Sequence, residues 1–482
     1  MGTNVIRFCL NNKWIVENDI DPNQTALGYL RTKMAQLSVK EGCAGGDCGA
    51  CSILIGEANS EGQVEYMAMN ACIALLGALD GKYVITTEGL TDGEQLHPVQ
   101  AAMVEYHGSQ CGFCTPGIVT SLAALYHNKN GQKPSEHEIH VALSGNLCRC
   151  TGYRPIIEAA ENMNKFAAPS KTAVINSTVV EHFDPAAPKE GEKPVIEKDG
   201  RKLFIPNNES ELQTILATNP DAVLWAGGTD LGLELTQQYK QFDSLVSLHK
   251  INSLTEVSEN DDSIRFGAMV TLSNAESYLN RQFPSFAQML ERFASRQIRN
   301  LGTLGGNVAN GSPIGDTPPV FFALDARVEI ASAKGTREIG IESFFKGYKQ
   351  TDLQPGEYLK SIVVPKLTAT QTLQVFKVSK RKEDDISAVL MAVRLDTDGS
   401  KVTEVRIACG GMAATPLRAT NTEKALTGKP LTMESFENAS QQIQNDYTPI
   451  KDVRATAEYR LNVAANLVIK SGLEITATNG GK

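Results

Sequence analysis

At 482 residues the chain is longer than one hydrophobic core usually serves, so two to four domains are expected. A hydrophobic share of 41%, a charged share of 21%, a net charge of −9 and a pI near 5.5 argue against a general nucleic-acid binder, which needs clustered Lys and Arg. No apolar run approaches the ~20 residues that span a bilayer. Met1 to Leu10 lacks a basic region followed by an apolar stretch, so no signal peptide is expected and cytoplasmic residence is the default.

Along the chain, Asn4–Cys9 alternates in strand fashion, turns at Asn11-Asn12 and returns through Trp14–Val16, which predicts a β-hairpin. Leu27, Leu30 and Met34 stand at helical spacing. A glycine-rich cysteine loop follows, then strands at Ser52–Ile55, Val64–Met69 and Tyr83–Thr86, so residues 1–90 are expected to form a small α+β domain. Residues 91–166 turn helical, with candidate helices at Val99–His107, Gly117–His127, Glu136–Leu143 and Pro155–Asn164. The third opens on Ser135-Glu-His-Glu138, a capping-box pattern, and the fourth has Pro155 near its start. Four short helices predict a compact bundle. Residues 167–200 are rich in Pro, Ala, Lys and Glu without periodicity and are read as a linker. From 201 to 366 α/β character resumes, with strands at Ala222–Trp225, Ser263–Phe266 and Arg327–Ala331. After a break near Pro365, residues 367–482 form an α+β piece with strands at Thr372–Val378, Ala388–Leu395 and Val402–Cys409.

Eight of the ten cysteines lie between Cys43 and Cys150, a density that points to metal or catalysis if the thiols are kept reduced. Cys43, Cys48 and Cys51, followed by Cys72, have the C-x4-C-x2-C…C spacing of plant-type [2Fe–2S] sites. Three thiolates must wrap a tight loop round one side of the cluster, and the glycines among them let the backbone approach closely. Structural zinc is the competing reading, although zinc more often pairs C-x2-4-C knuckles. The second quartet, Cys111 and Cys114 with Cys148 and Cys150, could by itself be zinc or a redox dithiol. Both halves fall at expected helix starts, however, where a negatively charged cluster is favoured. Cys9 and Cys409 sit in strand-like segments as small core hydrophobes, and His137 and His140 read as a solvated helix face.

Two glycine turns occur in the second half: Leu224-Trp-Ala-Gly-Gly-Thr-Asp-Leu231 and Gly302-Thr-Leu-Gly-Gly-Asn307, the latter followed by Ser312-Pro-Ile-Gly-Asp316. Either can present backbone N–H groups to a pyrophosphate, and either can be a plain turn. Neither is a Rossmann G-x-G-x-x-G. Lys380-Arg-Lys-Glu-Asp-Asp-Ile-Ser387 reads as a charged surface loop.

Three motifs, Glu41–Cys51, Gln110-Cys-Gly-Phe-Cys-Thr-Pro-Gly117 and Gly145-Asn-Leu-Cys-Arg-Cys-Thr-Gly-Tyr-Arg-Pro155, resemble in sequence and order the cluster motifs of molybdenum hydroxylases of the xanthine dehydrogenase type. The resemblance extends over nearly the whole chain except the linker. It implies a multidomain α+β protein: a plant-type ferredoxin (β-grasp) domain, a four-helix [2Fe–2S] domain, a non-Rossmann α/β FAD-binding domain and a C-terminal α+β flavoprotein domain. It assigns Cys111, Cys114, Cys148 and Cys150 to a cluster proximal to molybdenum, and Cys43, Cys48, Cys51 and Cys72 to a distal one. Carried over by position, FAD contacts fall on Leu224, Trp225, Ala226, Gly227, Gly228, Thr229, Asp230, Leu231, Phe293, Thr303, Leu304, Gly305, Gly306, Asn307, Asp316, Leu359 and Lys377. Related chains can have serine where Thr303 stands, which keeps the hydroxyl. Asp384, in the acidic loop, is implied to act in NAD⁺ access. The family's molybdopterin region cannot fit after Pro365, so the resemblance implies a separate molybdopterin-binding large subunit in an α2β2 heterotetramer. The expected activity is electron transfer from that subunit, which oxidises hypoxanthine and xanthine, through two [2Fe–2S] clusters and FAD to NAD⁺. The alternatives are a relative whose partner acts on an aldehyde, heterocycle or thioester, a stand-alone NADH-oxidising reductase, and a zinc-bearing scaffold.

Overall fold

The opening residues pair as expected because Asn11 and Asn12 accept the left-handed backbone (φ 46° and 66°) that a tight hairpin requires. In the computed structural model, which describes residues 5–58, 64–169 and 195–479, strands β1 (Ile6–Leu10) and β2 (Lys13–Glu17) run antiparallel through that turn. Asn11 also ties the hairpin to the chain beyond it: its carbonyl oxygen accepts the Thr86 N–H at 3.0 Å and its amide donates to Gln36 at 2.9 Å. With β3 (Ser52–Ala58), β4 (Val64–Asn70) and β5 (Tyr83–Ile85) they make one sheet in the order β2-β1-β5-β3-β4, in which β1 and β5 are parallel. The helix Ala26–Thr32, capped by Thr25, buries Leu27, Tyr29 and Leu30 in the core that this sheet helps to form.

Four helices follow at Pro98–Glu105, Thr115–Asn128, Glu136–Leu143 and Arg154–Asn162. The Ser135–Glu138 box forms in both directions, with Ser135 N–H to Glu138 at 2.7 Å and Glu138 N–H to Ser135 Oγ at 3.3 Å. Val99, Ile118, Leu122, Ile139, Ile156 and Met163 bury their side chains together with Leu54 of β3 and Tyr66 of β4. One shared core thus fastens the helices to the back of the first sheet.

The chain divides into two compact units: Met1–Ile251 with Ser295–Gly302, and Asn252–Ala294 with Thr303–Lys482. In the first, β6 (Val195–Lys198) and β7 (Arg201–Phe204) form a hairpin about Asp199-Gly200, and β8 (Val223–Trp225) and β9 (Ser244–Ser247) complete a sheet ordered β6-β7-β9-β8. Its apolar face joins Leu203, Trp225 and Leu245 to Leu76 and Leu79, which precede β5. Strand β6 falls inside the stretch read as linker at 167–200; alternate burial is short there, and only pairing with β7 reveals it. Residues 170–194 of that linker lie outside the described residues. The stretch expected as one FAD-binding segment, 201–366, contributes to both units.

The second unit holds β10 (Val257–Glu259), β11 (Ser263–Gly267), β12 (Arg327–Ser332), β13 (Gly335–Gly340) and, beyond a small hairpin of β14 (Phe345–Gly347) and β15 (Gln350–Thr351), β16 (Tyr358–Pro365). The sheet order is β10-β11-β16-β12-β13. A meander, β17 (Gln371–Val378), β18 (Val389–Thr397), β19 (Val402–Gly410) and β20 (Leu417–Arg418), packs against helices Met433–Ser440 and Ala457–Asn479 through Phe436, Ala439, Ala464 and Val468. Among the described residues no helix is long and apolar enough to cross a membrane.

Where the start of helix Pro98–Glu105 meets the end of helix Thr115–Asn128 two imidazoles face each other, His97 Nε2 and His127 Nε2 lying 3.3 Å apart, with the His127 ring stacked on Tyr66. Burial, then the neighbouring His127, lowers His97 to about 3, and burial lowers His127 to about 4. The unfolded chain takes up these protons near pH 6.5. The unfolded state therefore binds more protons below that pH, and the stability contributed by the neutral pair is complete above it and is lost as pH falls towards 4 and 3. A His127→Phe variant, which keeps the ring, is expected to show a shallower fall of Tm between pH 6.5 and 4; an unchanged slope would contradict this account.

Candidate iron–sulfur and flavin sites

The first cysteine loop runs from Cys43 into β3, and Cys72 arrives from the end of β4. Cys51 and Cys72 are buried and Cys43 and Cys48 half-buried, all as free thiols. The loop turns its amides inward: Gly45 N–H and Cys48 N–H donate to Cys43 Sγ at 3.3 and 3.4 Å. Helix Leu231–Thr236 grips it from outside, Thr236 donating to the Ala44 carbonyl at 2.7 Å and Gln237 to the Cys43 carbonyl at 3.0 Å. The sulfurs share protons in a chain. Hydrogen bonds from Cys48 and Cys72 pull Cys43 down and one from Cys72 pulls Cys51 down, while the same bonds to Cys43 push Cys48 and Cys72 up.

The second quartet sits on two helix starts. Cys114 caps Thr115–Asn128, and Cys148 and Cys150 lie just ahead of Arg154–Asn162. Tyr153, in the left-handed conformation (φ 68°), accepts the Cys148 N–H at 2.9 Å. The two halves meet in pairs, Cys111 with Cys150 and Cys114 with Cys148. The Phe113 amide and then Cys150 lower Cys111, whereas burial and Cys148 raise Cys114 to about 12. Cys111 and Cys150 are exposed, Cys114 is half-buried and Cys148 is buried. Among the described residues no three Cys, His, Asp or Glu side chains are gathered as round a single metal ion. Four thiols at each site, with amides aimed at sulfur in the first, are the donor set a two-iron cluster takes.

The two loops touch through backbone. A Cβ on Gly117 would lie 2.0 Å from the Gly49 carbonyl oxygen, and one on Gly49, itself at φ +68°, 2.1 Å from that of Gly145. That closeness lets Leu147 N–H donate to the Cys48 carbonyl at 3.0 Å, so a single hydrogen bond separates the backbone of one cluster loop from the residue before Cys148. Asn146 donates to the Gly49 carbonyl at 3.2 Å, and Gln297 holds Asn146 at 2.9 Å and Ser121 at 3.1 Å. Asn146 lies within a quoted motif; Gln297, about 150 residues away, carries no local signal.

The expected flavin residues divide between the units. In the first, β8 ends at the Ala226–Asp230 turn, where Gly228 takes φ +73° and a Cβ on Gly227 would lie 2.0 Å from the Leu301 carbonyl oxygen. Trp225 points into the core against His249, so only its backbone belongs to the turn. In the second unit, the start of helix Leu304–Ala309 is bonded to its own fold. Leu304 N–H goes to Val270 at 2.9 Å, Gly305 N–H to Ala268 at 3.1 Å, and Gly306 and Asn307 N–H to the Thr303 hydroxyl and carbonyl at 2.9 Å each. These four amides are thus bonded inside the fold. Gly305 is needed because a Cβ would meet the Ala268 carbonyl at 2.5 Å. Phe293 packs on the core that contains Leu304 and Leu359.

Asp316 and Lys377 do come together, as a buried ion pair at 2.7 Å, with Ser387, absent from the expected set, bonded to both. Asn307 adjoins them through Thr317, whose hydroxyl donates to it at 2.6 Å. Asp384 lies half-buried at φ +48° in a loop that closes on itself: Arg381 N–H donates to Asp385 at 2.9 Å and its guanidinium to the Asp384 carbonyl at 2.8 Å. Arg292 clamps the loop by donating to the carbonyls of Lys377 and Lys382, both at 2.9 Å.

Residues 86–161 match the family model for a [2Fe-2S] binding domain, 198–367 that for the FAD binding domain in molybdopterin dehydrogenase, and 374–475 that for the CO dehydrogenase flavoprotein C-terminal domain. The xanthine dehydrogenase of Drosophila subobscura is 33% identical over 99% of this chain and 39% of its own length; that of Emericella nidulans is 35% identical over 91% and 36%. The chain therefore spans about two fifths of the curated relatives it matches. Among solved structures, a chain of the carbon monoxide dehydrogenase from Hydrogenophaga pseudoflava that lacks the Mo-pyranopterin moiety is 28% identical with a TM-score of 0.53, covering 56% of this chain and 94% of that one. A chain of quinoline 2-oxidoreductase from Pseudomonas putida 86 is 27% identical, also at 0.53, covering 56% and 95%.

Because the quartets are built on separate elements, Cys148→Ser is expected to remove one of two paramagnetic iron–sulfur signals and Cys51→Ser the other. Loss of both signals from either folded variant would show that the quartets do not act as independent sites.

Proposed function

Since this chain belongs to the molybdenum hydroxylase family, as its iron–sulfur and flavin portion, we propose that it carries electrons from a molybdopterin-binding partner polypeptide, which oxidises hypoxanthine and xanthine, to NAD⁺. The observation that carries this reading is the backbone contact between the two cysteine loops, Cys48 carbonyl to Leu147 amide at 3.0 Å. When bound, two [2Fe–2S] clusters supply single-electron relay and FAD collects electrons in pairs. This chain's residues hold those groups and set their surroundings. Cys43, Cys48, Cys51 and Cys72 hold the cluster distal to molybdenum, with Gly45 and Cys48 amides offsetting thiolate charge. Cys111, Cys114, Cys148 and Cys150 hold the proximal one.

The proximal loop is suited to meeting a partner. Cys111 and Cys150 are exposed, and around them Phe113, Leu147 and Tyr153 expose large apolar side chains that a lone soluble surface rarely clusters. A hollow of about 420 Å³, lined by residues that include Gly112 and Thr115, flanks the same loop. An α2β2 assembly in the cytoplasm is the arrangement proposed. For FAD, the Leu224–Leu231 turn offers the amide cradle, since Gly227, Gly228 and Thr229 donate to no group among the described residues. In the second unit, the proposed FAD contacts are Thr303–Asn307, with close-packed backbone and the Asn307 side chain, and Phe293, Asp316, Leu359 and Lys377. Asp384 sits in the loop proposed to admit NAD⁺.

The xanthine dehydrogenases among the relatives favour a purine; the carbon monoxide and quinoline enzymes among the structural neighbours favour a second reading in which the partner's substrate is another small molecule. Purification of the native complex with metal analysis of each polypeptide tests both. Molybdenum is expected on a second chain, with iron and flavin on this one, and xanthine is expected to bleach the iron–sulfur absorbance. An Asp384→Ala complex is expected to keep its flavin and to reduce dyes with xanthine while NAD⁺ reduction falls at least tenfold. Full activity of this chain with no molybdenum partner would overturn the proposal, and normal NAD⁺ reduction by the variant would remove Asp384 from it.

A further inference from the structure

We propose that Ser387 is a positioning residue for the flavin: its hydroxyl fixes the Lys377 ammonium against Asp316 and so sets the charge presented to the flavin. The inference rests on the reading above in which Lys377 and Asp316 contact FAD.

The three side chains form a closed triangle of hydrogen bonds. Lys377 Nζ donates to Asp316 Oδ2 at 2.7 Å and to Ser387 Oγ at 2.8 Å, and Ser387 Oγ donates to Asp316 Oδ1 at 2.7 Å. All are buried, with exposures of 7% for Lys377, 3% for Asp316 and 2% for Ser387. A buried lysine–carboxylate pair is tolerated only when its remaining donors and acceptors are satisfied. Serine meets that need on both sides at once, accepting from the ammonium and donating to the second carboxylate oxygen. Two of the three ammonium donors are then used, and the third is left for a ligand. With the hydroxyl present, the ammonium is held at two fixed points instead of pivoting about one.

The three residues come from three elements. Lys377 lies on β17, Asp316 caps helix Thr317–Ala323, and Ser387 ends the acidic loop just ahead of β18. The same loop starts beside Lys377, whose carbonyl Arg292 holds at 2.9 Å. Both ends of the loop are therefore anchored at this ion pair, and Ser387 is the anchor at its far end. Alanine at this position would leave Asp316 Oδ1 without its donor and free the ammonium to move.

The test is the midpoint potential of FAD in the purified, flavin-replete chain, with cluster absorbance as the check of folding. A fixed ammonium near the flavin stabilises the reduced, more negative form. Ser387→Ala is expected to weaken binding of reduced relative to oxidised FAD about tenfold, the size of one hydrogen bond to a charged group. That is a fall of about 30 mV for a two-electron couple. Ser387→Thr, which keeps the hydroxyl, should restore the native potential. A native potential in Ser387→Ala, or an equal fall in Ser387→Thr, overturns the proposal. If Ser387→Ala does not retain FAD, retention at native potential by Ser387→Thr upholds the hydroxyl's role, and loss in both overturns it. Lys377→Met separates the underlying reading: a shifted potential there with none in Ser387→Ala sinks only the serine's role, whereas no change in Lys377→Met removes the ion pair from the flavin site.

Discussion

The close approach of Gly49 to Gly117 and Gly145 is the contact on which the cluster half depends. At both faces of Gly49 a methyl group would overlap a carbonyl oxygen, at 2.0 Å on one side and 2.1 Å on the other. Glycine costs backbone entropy, and at Gly49 and Gly117 that cost accompanies an approach no side chain would permit. What it allows is the Cys48–Leu147 hydrogen bond and the Asn146–Gly49 bond, which set two cysteine loops from different elements side by side. The shared core of Leu54, Tyr66, Ile118 and Leu122 then holds the helices to the sheet, so the contact does not rest on polar bonds alone.

The residues proposed to hold the flavin are arranged on another principle. In the Ala226–Asp230 turn the glycines open the backbone, while at Thr303–Asn307 they allow tight packing and the amides are spent on the fold. Two motifs that look alike in sequence therefore differ in what they can offer an anion. Around Asp316 and Lys377 the chemistry is ionic and buried, and the neighbouring acidic loop is held by its own Arg381–Asp385 bond and by Arg292. Burial opposes ionisation of Asp385, but the Arg381 amide and guanidinium outweigh it and keep its carboxyl below the usual range.

Much of this was legible in the residues because the signals are local. Cysteine spacing, the Asn11-Asn12 turn, the Ser135 capping box and the alternation of β17 to β19 all act over a few positions, and the corresponding elements form. Pairings set at long range were not legible. Strand β6 carries only four residues and is made by β7, and β9 is a parallel partner read from nothing nearby. Gln297 reaches Asn146 and Ser121 across about 150 residues or more, and Ser387 reads as the end of a charged loop until Lys377 and Asp316 surround it. The Gly302–Asn307 motif leaves cradle and plain turn undivided for a physical reason: composition records that a Cβ is missing but not whether the N–H beside it is already bonded.

The central claim is that the two cysteine loops hold clusters close enough to exchange electrons directly. Low-temperature electron paramagnetic resonance of the fully reduced chain tests it, because two neighbouring unpaired spins split each other's lines. The account predicts two iron–sulfur signals, each broadened or split by the other when both are reduced, and simplified to a single unsplit signal when only one is. Two signals that stay unsplit and independent at full reduction would contradict it.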